Sequence, residues 1–303
     1  MKFAFSFPYG RITRYASYRG RDTFIDLVKR ADALGFDAFA AGDHLFMPGY
    51  WKHVATEVWF DPFTFLSYVA ATSKLRVLTD IVVVPYRSPF HTAKSIATLD
   101  FITGGKVIFG AAVGYLEGEF NTLKVPFRER GPMTDEYLEI MKLLWTSDNP
   151  RYEGKYFRFS DITFWPKPIQ KPHPPIWIGG STKPSIRRAV AHGDGWIPFN
   201  LGLAALKEAM GLFEELWAAA GGKKKDFQIV ARAERANVTR APIRSPDRQH
   251  FWGSPDQIAE DIEAYRRAGA TYFIAGFHGL ELEEHMENME RFALEVMPRF
   301  KDK

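Results

Sequence analysis

Asp43-His44 sets a carboxylate beside an imidazole, a ring able to donate, accept or hold a proton near neutral pH. It falls just after an apolar run that reads as the second strand, so the pair could face a functional rim or Asp43 could simply orient a structural histidine. Asp80 lies within the run Arg76–Val84, and an acid in an otherwise apolar strand needs a hydrogen-bonding partner or a ligand. A bulge or a cap for the next loop would also account for it. Trp177-Ile-Gly-Gly-Ser-Thr182 puts two glycines and two hydroxyls between a strand and a helix. Bare amides at a helix start can cradle a phosphate, though a Gly-Gly junction can equally be only a turn. Arg232, Arg235, Arg240, Arg244 and Arg248 cluster late in the chain with Glu234 and Asp247 between them, a pattern that suits a solvated, partly paired surface as well as phosphate contacts. Tyr50, Trp51, Trp59 and Phe60 could wall a flat ring or pack within a loop.

Other chemistries find little support. The eight histidines form neither an HxH nor an HExxH pattern, and no GxSxG elbow occurs. The absence of cysteine excludes disulfides, thiolate nucleophiles and thiolate-held metals. Forty Lys and Arg against 36 Asp and Glu give a net charge of +4, interspersed along the chain, which argues against a nucleic-acid partner. The 46% hydrophobic content is that of a globular protein, and no run approaches the length needed to cross a membrane. Met1-Lys2 leads directly into Phe3–Phe7 without the features of a secretory signal, so a cytoplasmic address is expected.

Positioning these groups requires a frame. Short β-branched or aromatic runs alternate eight times with segments of helical period, as parallel βαβ units do. The strands are expected near Lys2–Phe7, Asp37–Ala41, Arg76–Val84, Lys106–Ala111, Pro175–Gly179, Asp194–Pro198, Phe227–Ala231 and Thr271–Ala275. Asp22 is read as the cap of a helix with apolar Phe24, Leu27, Val28, Ala31 and Leu34, ended by Gly35. Asp61-Pro62, Ser88-Pro89 and Ser254-Pro255 each put a capping side chain before a proline at the first helical position, and Gln257 completes a capping box with Ser254. The expectation is an α/β fold: one (β/α)8 TIM barrel over residues 1–303, with insertions near 42–60, 112–130, 150–174 and 232–253. These are expected mainly on the face carrying the carboxyl ends of the strands, where such barrels do their chemistry. The segment 150–174, rich in Tyr, Phe and Pro, reads as an extended hairpin or a lid over the barrel.

Pro85–Gly110, Val113-Gly-Tyr115, Glu119-Phe120, Pro174–Ser181, His192–Pro198 and Phe251–Ile258 together resemble the luciferase-like monooxygenase superfamily, particularly its branch of oxidoreductases using the deazaflavin coenzyme F420. The resemblance spans nearly the whole chain. It implies hydride transfer between the deazaflavin and a small organic substrate. The alternatives are an FMN-dependent two-component monooxygenase served by a separate reductase, and a non-catalytic flavin-binding barrel. It also implies a homodimer, with Asp43 and His44 beside the redox ring and His44 as proton donor or anion stabiliser. A bulge with a non-proline cis peptide at Asp80-Ile81 is expected behind the ring, Val113-Gly114 near the cofactor, and Gly179, Gly180 and Ser181 at its phosphate. Two positions depart from the pattern: Tyr115 replaces a carboxylate of several deazaflavin dehydrogenases, and Val113 replaces an arginine that meets the phosphate in some flavin-using relatives. Glu117 and Glu119 lie nearby and could cap the loop.

Overall fold

A computed structural model describes residues 1–9, 19–47, 49, 58–199, 201–222 and 226–300. Eight parallel strand positions close into a barrel. They are β1 (Lys2–Ser6), β2 (Ala38–Ala41), β3 (Arg76–Thr79) continued by β4 (Val82–Val83), β5 (Val107–Ala112), β8 (Ile176–Gly179), β9 (Gly195–Ile197), β10 (Gln228–Val238) and β12 (Tyr272–Phe277). Closure comes from the pairing of β1 with β12 and of β9 with β10.

Strand alternation divides the side chains into two cores. Phe3 and Phe5 point outward from β1 into the layer of helices, where they meet Phe273, Phe277, Phe39 and Phe36. Full burial of each such ring stabilises the fold by roughly 1.5–3 kcal/mol. Ala4, Ala38 and Ala40 point inward with Leu78, Ile108, Ile197, Val230 and Ile274. Small side chains from β1 and β2 leave room for two large ones, Trp177 and Tyr272, whose rings meet edge to face at 4.8 Å. The buried Tyr272 hydroxyl donates to Asp37 at 2.8 Å, which satisfies it at the closed end of the barrel.

The intervening helices are α1 (Arg21–Ala33), α2 (Pro62–Thr72), α3 (Pro89–Thr103), the short α4 (Glu117–Thr122), α5 (Arg130–Thr146), α6 (Lys183–His192), α7 (Leu203–Ala219), α8 (Pro255–Arg267) and α9 (Leu282–Arg291). The three Pro-marked starts form as expected. Asp61 accepts from Thr64 N, Ser88 from Phe90 N, and Ser254 with Gln257 makes a reciprocal capping box. Asp22 does not cap α1; Gly20 holds that position, and Asp22 lies in the first turn, where a negative charge still favours the helix.

The third strand is interrupted after Thr79 and resumes at Val82, with Asp80-Ile81 as a cis peptide between the halves, as the resemblance implied. One further expectation changes. The segment 150–174 is not a mouth insertion, because it connects a helix to a strand. Its hairpin, β6 (Tyr152–Glu153) with β7 (Arg158–Phe159), lies against the outside of α3 and α5. Buried Glu136 of α5 accepts the backbone N–H groups of Lys155, Tyr156 and Phe157 there, holding the hairpin to the helix layer. A two-residue β11 (Trp252–Gly253) extends the sheet beside β10.

Candidate active site

The carboxyl ends of β2, β3, β5, β8, β9 and β10 form one rim, and most of the candidate residues stand on it. At the tip of β2, Asp43 is buried, and both its oxygens are engaged by Arg87, at 2.7 and 2.9 Å. Val83 N–H also donates to it at 3.1 Å. Burial opposes the Arg87 charge, but the hydrogen bonds and attraction of Asp43 outweigh it and hold the guanidinium firmly protonated. Asp43 therefore ties β2 to the second half of the broken strand. It does not orient His44.

That work falls to Glu119 on α4, which is fully buried. Its Oε2 lies 2.8 Å from His44 Nδ1 and accepts the Tyr86 hydroxyl at 2.7 Å, while Oε1 accepts the Leu45 N–H at 3.0 Å. Burial alone would raise the pKa of this carboxyl. The hydrogen bonds from His44, Tyr86 and Leu45 outweigh burial and lower its pKa below the ordinary 4.5. Tyr86 responds in the opposite sense: burial and its bond to Glu119 push the phenol far above its usual range, so it stays a donor. The Nε2 atom of His44 has no hydrogen-bond partner among the described residues.

Across the rim, Asp80 pairs with Arg232 of β10 through two contacts of 3.0 and 3.3 Å. Arg232 Nε is also 2.7 Å from Glu234. Desolvation disfavours the Arg232 charge, yet Asp80 and Glu234 more than compensate, and the guanidinium remains a cation. Both oxygens of Asp80 are thus committed, and what it offers the mouth is backbone. The β2 and β3 tips also touch directly: Asp80 N–H donates to Ala41 O at 2.6 Å, and a Cβ added to Gly42 would stand 3.1 Å from Asp80 O.

The double-glycine turn follows β8. A Cβ on Gly179 would reach 2.2 Å from Ile81 Cδ1, so the bare backbone there is what lets Ile81 pack. Gly180 has φ 117°, a value that side chains rarely tolerate. Thr182 caps α6 through Ser185 N. The Ser181 hydroxyl donates to Phe199 O at 2.6 Å and accepts Phe199 N–H at 2.8 Å, so its hydrogen bonding serves the β9 loop. The amides of Ser181 and Thr182 have no acceptor among the described residues, and they face the positive end of the helix dipole. Val113 is half-buried after β5. Gly114 has φ 79°, and a Cβ there would meet Val83 at 2.6 Å.

Rings link these places. His44 meets Trp59 edge to face at 4.5 Å and Tyr115 at 5.8 Å; Tyr115 stacks near Phe199 at 6.2 Å, and Tyr9 stacks on Trp59 at 4.5 Å. Tyr115 and Phe199 are 55% and 44% exposed, which is high for large rings and leaves a face open at the mouth. Tyr50 and Trp51 lie outside the described residues, and Phe60 turns into the outer core beside Phe7 and Phe65. The Asp-His pair, the Asp80 tip and the double-glycine turn are therefore brought onto one rim. Sequence reasoning missed Arg87, Tyr86 and the part played by Glu119, and it left Arg232 undistinguished among five arginines. No cluster of metal-ligating side chains occurs among the described residues.

The family model described as luciferase-like monooxygenase matches residues 1–237. An FMNH2-dependent dimethylsulfone monooxygenase of Pseudomonas putida is 28% identical over 278 residues, 76% of either chain. A monooxygenase from Streptomyces bottropensis shares the fold with a TM-score of 0.78 at 24% identity, over 99% of this chain and 100% of that one. A coenzyme F420-dependent tetrahydromethanopterin reductase from Methanopyrus kandleri does so with a TM-score of 0.78 at 19% identity, over 99% of both chains.

Proposed function

Since the chain belongs to the luciferase-like monooxygenase family, we propose that it is an oxidoreductase passing hydride between coenzyme F420 and a small organic substrate at the barrel mouth. The observation that carries this reading is the imidazole of His44, anchored on one nitrogen and without a partner among the described residues on the other. Hydride transfer to or from a carbon–oxygen centre leaves one proton to be moved, and a positioned histidine suits that task.

The residues fit a planar ring with an anionic tail. Ile81 over the bare backbone of Gly179 offers an apolar, side-chain-poor surface, beside which Val113 and Gly114 would meet the ring. The Ser181 and Thr182 amides at the start of α6 are donors suited to a phosphate, with Lys183 in the first turn of the same helix. When bound, the deazaflavin would supply a two-electron hydride donor or acceptor. The chain's own residues do the rest. Trp59, Tyr115 and Phe199 exclude water and confine the substrate, His44 exchanges the proton at Nε2, and Asp43 and Asp80, each neutralised by an arginine, hold the strand tips in place.

A second reading, a two-component monooxygenase taking reduced FMN from a separate reductase, is favoured by the curated relative at 28% identity. Fluorescence titration of the cofactor-free protein with each cofactor, followed by anaerobic and aerobic turnover with reduced cofactor, separates the two. Tighter binding of the deazaflavin and substrate-dependent anaerobic oxidation of it are expected. Tighter FMN binding with product formed only under oxygen would replace the first reading by the second.

A further inference from the structure

We propose that Glu119 is a positioning residue that locks His44 in the tautomer protonated on Nδ1, making Nε2 the atom that exchanges protons at the mouth. The inference rests on the redox reading for its role in turnover, but its structural content stands apart from it.

The argument is one of donors and acceptors. A neutral imidazole carries a hydrogen on one nitrogen and a lone pair on the other, and hydrogen-bond partners select which. Glu119 Oε2 faces Nδ1 at 2.8 Å. The carboxylate already accepts the Tyr86 hydroxyl on Oε2 and the Leu45 amide on Oε1, and those donors hold it in the charged form, which can only accept. A lone pair on Nδ1 would then oppose an oxygen anion within a buried pocket, whereas a hydrogen there makes a charge-assisted bond. The Tyr86 phenol is held far from ionisation and cannot exchange roles with the carboxylate. Its hydroxyl and the Leu45 amide fix the carboxylate from both sides, so His44 meets an oriented acceptor.

Among the described residues, no other hydrogen-bond partner competes for the ring. Trp59 and Tyr115 meet it edge to face, and the nearby Asp43 is committed to Arg87 and Val83 N–H. The carboxylate reaches the histidine from four residues beyond Tyr115, whose ring meets the same imidazole edge to face.

Glu119→Gln is the informative substitution. An amide presents one oxygen and one NH2, so it cannot accept from Leu45 N–H on one side and from Nδ1–H and Tyr86 on the other. Keeping its oxygen on Leu45 turns a donor toward the ring and favours the opposite tautomer. The test is nitrogen-15 NMR of the full chain labelled at histidine, recorded without cofactor at about pH 8, where a free imidazole is neutral, with His44→Gln used to assign the signals. In the wild type, Nδ1 is expected to show the shift of a protonated ring nitrogen and Nε2 that of an unprotonated one. In Glu119→Gln the two should mix or exchange. Turnover should fall roughly 10²–10⁴-fold, the range by which a misdirected catalytic histidine slows reactions, with KM for the cofactor within about threefold.

A wild-type spectrum with the hydrogen on Nε2 would overturn the proposal, as would an unchanged His44 tautomer in Glu119→Gln. The wild-type measurement decides even if the variant does not fold. Because the spectra need no cofactor, absence of turnover with either cofactor would count against the redox reading alone.

Discussion

Two acid–base pairs stand at the mouth, Asp80–Arg232 and Glu119–His44, and they differ in what their partners can do with a proton. A guanidinium keeps its charge throughout the physiological range. Arg232 with Asp80 is accordingly a permanent ion pair that joins β10 to the interrupted strand opposite. Glu119 holds an imidazole instead, and a histidine is the side chain whose charge ordinarily changes near neutrality. One buried carboxylate thus braces the rim, and the other supports a group able to exchange protons.

The largest effect should come from breaking the second pair at its ring. His44→Ala is expected to lower turnover by roughly 10²–10⁴-fold, with the urea midpoint shifted less than in the Asp80 variant described next. Steady-state kinetics beside urea melts measure both; intact turnover would remove His44 from the chemistry. In the first pair, Asp80→Ala leaves the largely buried Arg232 with Glu234 as its remaining counter-charge and should cost stability, up to about 3 kcal/mol. Replacing both partners, Asp80→Asn with Arg232→Met, should recover much of that loss in the same melts. If Asp80→Ala unfolds like the wild type, the ion pair does not brace the rim.

Acid sharpens the contrast. The Glu119 pKa is lowered on folding, so its contribution is full above its ordinary 4.5 and is lost as pH falls through the depressed folded value. The stability gap between wild type and Glu119→Gln should therefore be widest near pH 7 and should close below about pH 4.5. A gap that stays constant down to pH 3 would contradict the ionised, hydrogen-bonded carboxylate. The smallest effect is expected away from the mouth: Ser254→Ala removes half of the α8 capping box and should cost about 1 kcal/mol, leaving cofactor affinity unchanged.

Local rules made the frame legible. Period-2 and period-3.6 runs located all eight barrel strands, and Asp61-Pro62, Ser88-Pro89 and Ser254 with Gln257 placed three helix starts because each cap acts within three residues. Asp22 misled because an acid in the first turn resembles a cap in sequence, and only backbone geometry tells Gly20 from it. The site was half-legible. Asp43-His44 and the glycines stand out as local patterns, whereas the His44–Glu119 contact spans 75 residues and Asp80–Arg232 spans 152. No spacing rule connects such positions; the closed barrel does. The one available hint for Glu119 was an acid beside Phe120 in a block of family-like residues. The hairpin at 152–159 was legible as a hairpin but not in its placement, since Glu136, which anchors it, precedes it on another element.

Where β3 gives way to the Asp80 turn, a Cβ on Gly110 would stand only 1.9 Å from Thr79 O, and the Thr79 hydroxyl donates to Gly110 O at 2.8 Å. The width of the opening along this seam is consequently set by main chain against main chain. Widening or narrowing it by exchanging side chains would mean forcing two strands apart, so adaptation to bulkier or slimmer substrates should run through Trp59, Tyr115 and Phe199 and leave residues 79 and 110 untouched.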